Sequence, residues 1–146
     1  MPRFTNVLLI LPFVAAGVGC STARDTAKGF RLAGTGDTGR GRAAFLEFGC
    51  NNCHEVKGTY LPKPAVQPIM LGGSVMAEPS DGYLVTAIIN PAYHAARYPA
   101  ANATQGGHPR MPEFASRMTV QQLTDIVAYL QSRYSLRPVQ PPSEYP

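Results

Sequence analysis

The sequence predicts an all-α fold of three main short helices joined by long loops. Three segments place apolar residues at helical spacing, and each follows a residue that caps helices well. No stretch alternates apolar and polar residues for long, so strands are not expected to dominate. Fourteen glycines and fourteen prolines among 146 residues indicate that loops occupy much of the chain. The length suits a single domain, and a hydrophobic content of 45% supplies a core.

The first predicted helix covers residues 38–49, with Asp37 or Thr38 as its N-cap. Gly41 and Phe45 lie on one face of this helix because they are four residues apart. A glycine on a helix face allows a second helix to approach closely. The first helix therefore has a predicted partner helix elsewhere in the chain.

The second and third predicted helices have equally clear boundaries. The second follows the N-cap Ser80 and ends before Pro91, because proline cannot continue a helix. The third begins at Thr119, which forms a capping box with Gln122. Its apolar stripe at helical spacing consists of Leu123, Ile126, Val127, Leu130 and Tyr134.

The two ends of the chain differ from its middle. Residues 1–19 are predicted to be a signal peptide, because Arg3 precedes an apolar run that is too short to span a membrane. Residues 20–36 are predicted to form a flexible tether, and residues 37–134 the folded domain. Residues 135–146 are rich in proline and are predicted to be a disordered tail.

The small residues before Cys20 resemble a bacterial lipoprotein cleavage site, with Gly17 where that pattern usually has leucine. The resemblance implies that Cys20 becomes the first mature residue and carries a lipid anchor. The alternative is ordinary signal cleavage after Ala23, which would remove Cys20.

The formal net charge of +4 is spread over single Lys and Arg residues that form no stripe. Clusters of basic residues interleaved with aromatic residues are missing, so nucleic acid is not a predicted partner. A scattered positive charge suits transient docking to acidic protein surfaces.

The segment Cys50-Asn51-Asn52-Cys53-His54 has three possible interpretations. A structural zinc site needs four ligands, and the only other cysteine is Cys20 in the signal region. A thioredoxin-like redox pair needs a helix that begins at the first cysteine, whereas here a predicted helix ends there. The third is covalent haem attachment, for which C-x-x-C-H is the signature.

The chain resembles class I cytochrome c over about residues 37–134. The resemblance is carried by "GRAAFLEFGCNNCH", by "RMPEF" and by "LTDIVAYL" in the last helix. It implies one covalently attached haem c, with the loops wrapped around it, and thioether bonds from Cys50 and Cys53. His54 is then the proximal axial ligand of the iron. The family pattern also implies that the first and last helices cross at Gly41, Phe45 and Tyr129.

The same resemblance implies a second axial ligand and a partner for the proximal histidine. Met111, followed by a proline in the loop before the last helix, occupies the place of the family's axial methionine. Pro68 is expected to offer its carbonyl to the second ring nitrogen of His54. His94 and His108 lie in the same long loop as Met111 and remain alternatives to it.

Three residues near the predicted methionine ligand are candidates to bind a haem propionate through charge-assisted hydrogen bonds. They are Arg97, Tyr98 and Arg110. The alternative is that all three are ordinary surface residues.

These assignments predict an electron-transfer protein and not an enzyme, because both axial positions are filled. The expected role is a monohaem c-type cytochrome that carries single electrons between redox proteins by transient docking. It would act in the periplasm or at the outer face of the bacterial cytoplasmic membrane, anchored through Cys20. The alternative is a haem electron-accepting subunit of a periplasmic oxidoreductase complex, such as a sulfur-oxidation or dehydrogenase system.

Overall fold

Four helices and six short strands make up the part of the chain that the computed structural model describes, namely residues 32, 35–97 and 103–138. The helices are α1 (Thr38–Glu47), α2 (Asp81–Ile89), α3 (Pro91–Arg97) and α4 (Val120–Gln131). The strands are β1 (His54–Val56), β2 (Ile69–Leu71), β3 (Gly73–Val75), β4 (Thr104–Gln105), β5 (His108–Pro109) and β6 (Tyr134–Leu136). The helices supply most of the core, and the strands pair only in twos.

Helices α1 and α4 cross at a glycine, as the sequence predicts. A Cβ atom on Gly41 would collide with the carbonyl oxygen of Asp125 and would lie 2.8 Å from the Cβ of Tyr129. The rings of Phe45 and Tyr129 meet edge to face, with centroids 5.7 Å apart. Phe45 and Tyr129 are almost fully buried, so this crossing forms the centre of the hydrophobic core.

The caps of the three predicted helices are confirmed. The side chain of Asp37 accepts a hydrogen bond from the Arg40 N–H, and that of Ser80 accepts one from the Tyr83 N–H. Thr119 and Gln122 form the predicted capping box at the start of α4. These side chains satisfy backbone donors that have no partner within their own helix. The first helix ends at Glu47, two residues earlier than predicted.

Helix α3 was not predicted from the sequence, which suggested a loop after Pro91. A new helix begins at this proline instead, because the first helical position does not need an N–H donor. Asn90 ends α2 in a non-helical conformation, and its side chain accepts a hydrogen bond from the Tyr93 N–H. One asparagine thus separates two helices.

The strands form three small pairs. Strands β1 and β2 are parallel, with His54 opposite Ile69. Strands β3 and β6 are also parallel, with Gly73 opposite Tyr134. Strands β4 and β5 form an antiparallel hairpin in the long loop before α4.

The folded domain extends beyond both predicted boundaries. Leu32 packs against the hydrophobic core, although it falls in the predicted tether. A Cβ atom on Gly36 would lie 2.6 Å from the Cβ of Ala128, so this segment is also tightly packed against α4. At the other end, β6 includes residues assigned to the disordered tail. The tail prediction is therefore wrong for residues 135 and 136, because their backbone pairs with β3.

The predicted signal peptide, Cys20 and most of the tether lie outside the described residues. Residues 139–146 of the predicted tail lie outside them as well. Among the helices that the structure describes, none has the length and apolar character needed to cross a membrane.

Candidate haem-binding site

The two cysteines and the histidine lie on one sharp turn directly after α1. Gly49 has a left-handed backbone with φ of 68°, a conformation that glycine adopts at little cost. The following 3₁₀ turn, Cys50–Asn52, is closed by a hydrogen bond of 3.2 Å from the Cys53 N–H to the Cys50 carbonyl. His54 then begins β1. This turn places two thiols and one imidazole within five residues.

Both thiols are half-buried and are not joined in a disulfide. Burial raises the pKa of the Cys50 thiol to about 11, and the neighbouring Cys53 adds to this effect. A thioredoxin-like redox pair needs a lowered thiol pKa, so Cys50 does not fit that interpretation. In the described residues we find no group of three or more His, Cys, Asp or Glu side chains arranged to hold a metal ion. The zinc interpretation therefore gains no support.

The His54 ring is half-buried, and its Nδ1 lies 3.3 Å from the carbonyl oxygen of Ile69. Burial lowers the pKa of His54, and the hydrogen bond opposes that shift, so the ring is neutral at pH 7. A carbonyl oxygen only accepts, which makes Nδ1 the protonated nitrogen. The lone pair of the neutral ring therefore lies on Nε2, the nitrogen available to a metal.

The expected role of the Pro68 carbonyl is wrong by one residue, since the acceptor is Ile69. The reason is the register of β1 and β2, which places His54 opposite Ile69. The Ile69 N–H donates to the Cys53 carbonyl at 2.9 Å, and this bond fixes the Ile69 peptide beside the imidazole. Pro68 only precedes the strand.

Met111 lies two residues after β5, is half-buried, and packs against the same hydrophobic core as Cys50. An aromatic contact joins their two segments, because the rings of Phe48 and Phe114 meet edge to face with centroids 5.9 Å apart. Phe48 lies two residues before Cys50, and Phe114 lies three residues after Met111. The structure thus brings the methionine segment against the cysteine turn.

The other sulfur and imidazole candidates are placed differently. Met70 and Met76 are exposed, and Met118 packs against the core at the start of α4. The ring of His94 packs edge to face on Tyr83, with centroids 4.7 Å apart, and His108 is exposed in β5.

The candidate propionate ligands are only partly covered by the structure. Arg97 is exposed at the end of α3, and Arg110 is half-buried directly before Met111. Tyr98 lies outside the described residues. Arg110 therefore stays a candidate, as the residue before Met111 in the chain.

Two features of the site were missed in the sequence. The Ile69 carbonyl has no side-chain signature, since only the strand register shows it. The contact between Phe48 and Phe114 joins residues 66 positions apart, although the aromatic residues near both motifs were a signal that could have been used.

Paired thiols on one turn, with a neutral histidine whose Nε2 is left for a metal, suit a protein that holds its haem covalently. The comparison with family models agrees, because the Cytochrome c model matches residues 39–133. The chain belongs to the cytochrome c family, as a class I monohaem c-type cytochrome, and is a haem electron-transfer protein with covalently attached haem c. The comparisons with curated proteins and with solved structures found no match.

Proposed function

We propose that the protein carries single electrons between redox partners, at the outer face of the bacterial cytoplasmic membrane or in the periplasm. Its family supports electron transfer through haem. The observation that carries the proposal is the contact between His54 Nδ1 and the Ile69 carbonyl, which leaves Nε2 as a metal ligand on the same turn as both thiols.

Each residue of the site has a role in this proposal. Cys50 and Cys53 would hold the haem covalently, and the Nε2 of His54 would bind its iron. The sulfur of Met111 would supply a second ligand to the iron, with His94 and His108 as the alternatives to be tested. When bound, haem iron supplies one-electron chemistry by changing between the ferric and ferrous states. The Ile69 carbonyl orients the His54 ring and strengthens it as a donor.

A second protein ligand distinguishes a carrier from an enzyme. The packing of Phe48 on Phe114 supports such a ligand, because it holds the Met111 segment against the cysteine turn. If His54 and Met111 both held the iron, they would leave no open position for a substrate. The residues therefore favour electron transfer without catalysis.

The net charge of +4 supports transient docking to acidic redox proteins and gives no reason to expect nucleic acid as a partner. The location is proposed from the first 20 residues, in which a signal-like run precedes Cys20. An acyl chain on Cys20 would keep the domain close to the membrane.

Intact mass of the purified mature protein tests attachment and location together. We expect the mass to equal the chain from Cys20 plus one haem and the lipid. Replacing Cys50 and Cys53 together by serine should release all pigment into acidic organic solvent, whereas Asn51→Ser, on the same turn, should retain it. If the pigment of the unaltered protein is extracted, the covalent assignment fails. A mass that begins after Ala23 would remove the lipid anchor from the proposal.

Carbon monoxide and native size test the carrier role. The reduced protein should show no rapid spectral change with carbon monoxide, because both axial positions are taken. Rapid binding would indicate an open position and a gas-binding or enzymatic role. A native extract should yield the cytochrome as a small species, whereas stable co-elution with a catalytic subunit would indicate the role of an electron-accepting subunit.

A further inference from the structure

We propose that the C-terminal strand β6 is a positioning element for the haem site, which holds the His54 imidazole in place through β3 and β2. The inference depends on the assignment of His54 as an iron ligand made above. It concerns a segment beyond the last helix, in which residues 135 and 136 were predicted to be disordered.

The first step is the attachment of β6 to β3. The Gly73 N–H donates to the Arg133 carbonyl at 2.8 Å, just before the paired strands begin. At the other end of the pair, the Arg137 N–H donates to the Val75 carbonyl at 2.8 Å. Parallel pairing between these two bonds attaches β6 to β3 along its whole length through backbone atoms.

The second step is the short link from β3 to β2. Only Gly72 separates these strands, and its φ of 79° turns the chain sharply. A Cβ atom on Gly72 would lie 2.9 Å from the carbonyl oxygen of Arg133 and 3.0 Å from its Cβ. The turn is therefore packed against the segment that joins α4 to β6, and it leaves little freedom between the two strands.

The third step connects β2 to the imidazole. The Lys57 N–H donates to the Leu71 carbonyl at 2.8 Å, and the Ile69 N–H donates to the Cys53 carbonyl at 2.9 Å. These bonds hold β2 against the turn that carries the cysteines. The Ile69 carbonyl then meets Nδ1 of His54.

These contacts form a closed path through the molecule. Helix α1 leads to the cysteine turn, and α4 packs across α1 and leads to β6. Because β6 holds β3, the loop between Lys57 and Ile69 is fixed at both ends to the same pair of helices. Loosening β6 is therefore expected to move the Ile69 carbonyl away from Nδ1. A weaker hydrogen bond makes the imidazole a poorer donor, which disfavours ferric iron and raises the reduction potential.

Two glycines provide a matched test in the full-length haem protein. Gly72 and Gly58 have nearly the same φ, 79° and 74°, but a Cβ on Gly58 would meet no atom within 4 Å. Both alanine variants thus place a Cβ at a similar positive φ, and only Gly72→Ala collides with Arg133. We expect Gly72→Ala to raise the midpoint potential and to speed solvent exchange of the His54 Nδ1 proton in NMR spectra. We expect Gly58→Ala to leave both unchanged.

If Gly72→Ala fails to fold, a second pair of variants, at Arg137, provides the test. Arg137→Pro removes the N–H that bonds to Val75, whereas Arg137→Ala keeps it. Leu136 is already extended, so a following proline is compatible with its backbone. The inference predicts a higher midpoint potential and faster exchange of the His54 Nδ1 proton in Arg137→Pro. It predicts neither change in Arg137→Ala.

The outcomes separate this inference from the proposed function. If Arg137→Pro lowers stability while the Nδ1 exchange rate and the potential stay at their wild-type values, β6 is only structural and the inference is overturned. If His54→Ala retains the wild-type haem spectrum, the assignment of His54 is wrong and the proposed function fails first.

Discussion

Arg40 and Asp125 join the two crossing helices by a bidentate ion pair. The Nε of Arg40 lies 2.8 Å from one carboxylate oxygen of Asp125, and its Nη2 lies 3.2 Å from the other. The Asp37 N–H and the Gln121 amide also donate to this carboxylate, at 2.8 and 2.9 Å. Asp125 is 3% exposed, so four donors compensate for its removal from water.

This network predicts a loss of stability in acid. The hydrogen bond from Arg40 and that from the Asp37 backbone lower the pKa of Asp125 from 3.8 to about 2. Because the folded-state pKa is lowered, the carboxylate stabilises the fold above pH 3.8, and this contribution is lost as the pH falls through 2. Denaturant unfolding measured across that range should show a steep fall in the free energy of unfolding.

Asp125→Asn tests whether Asp125 causes this fall in the free energy of unfolding, because an amide does not titrate. The variant should be less stable than wild type at pH 7, and its free energy of unfolding should change less between pH 3.8 and 2. Glu47→Gln, at an exposed position at the end of α1, serves as the control and should keep the wild-type profile. An unchanged acid profile in Asp125→Asn would show that other carboxyl groups control acid unfolding.

Because α1 and α4 cross closely, one methyl group added at the crossing should strongly lower the free energy of unfolding. In Gly41→Ala the added Cβ meets the Asp125 backbone, so the helices must separate. We expect a loss of about 1–3 kcal/mol in the free energy of unfolding, the usual range for overpacking a core. Gly39→Ala is the control in the same helix, since its Cβ would meet no atom of α4 and only the side-chain oxygen of Asp37, at 3.2 Å. Alanine has the higher helix propensity, so equal effects in the two variants would mean that close packing at Gly41 does not determine the outcome.

The sequence predicted those parts of the molecule that depend on local chemistry. Helix caps at Asp37, Ser80 and Thr119 have side-chain signatures, because each must satisfy backbone donors within one turn. The C-x-x-C-H turn is also local. The close approach at Gly41 was predicted from its place on a helix face, the resemblance to the family implied the last helix as the partner, and the structure confirms both.

The parts that were missed depend on pairing between distant segments. Strand β6 pairs with β3 through backbone atoms, which leave no side-chain signature. The sequence instead placed Tyr134 in the apolar stripe of the last helix, which ends at Gln131. The Ile69 carbonyl likewise follows from a register and not from a residue type. Helix α3 was missed for a different reason, because Pro91 was taken only as the end of a helix although it also starts one well.

Positive charge predicts that electron transfer is sensitive to salt. The net charge is +4, and removal of residues 1–19 would take away only Arg3 among the charged side chains. Attraction to an acidic redox protein is screened over about 8–10 Å at ionic strengths of 0.1–0.15 M. The second-order rate constant with such a partner, measured by stopped flow, should therefore fall as salt is added. A basic partner protein is the control, and its rate should rise. A rate with the acidic partner that does not change with salt would contradict docking by charge.

Leucine variants of two methionines that pack on the same core can distinguish iron ligation from packing. Met111 and Met118 are both half-buried against the hydrophobic core, so leucine at either position removes a thioether and keeps an apolar side chain of similar size. Met111→Leu should open one axial position, and the reduced protein should then bind carbon monoxide rapidly with a change in its absorption spectrum. Met118→Leu should leave the spectrum as it is and cost less than about 1.5 kcal/mol in stability. If Met111→Leu keeps the wild-type spectrum and excludes carbon monoxide, the sulfur is not the ligand. The same measurement on His94→Ala and His108→Ala then identifies which imidazole takes its place.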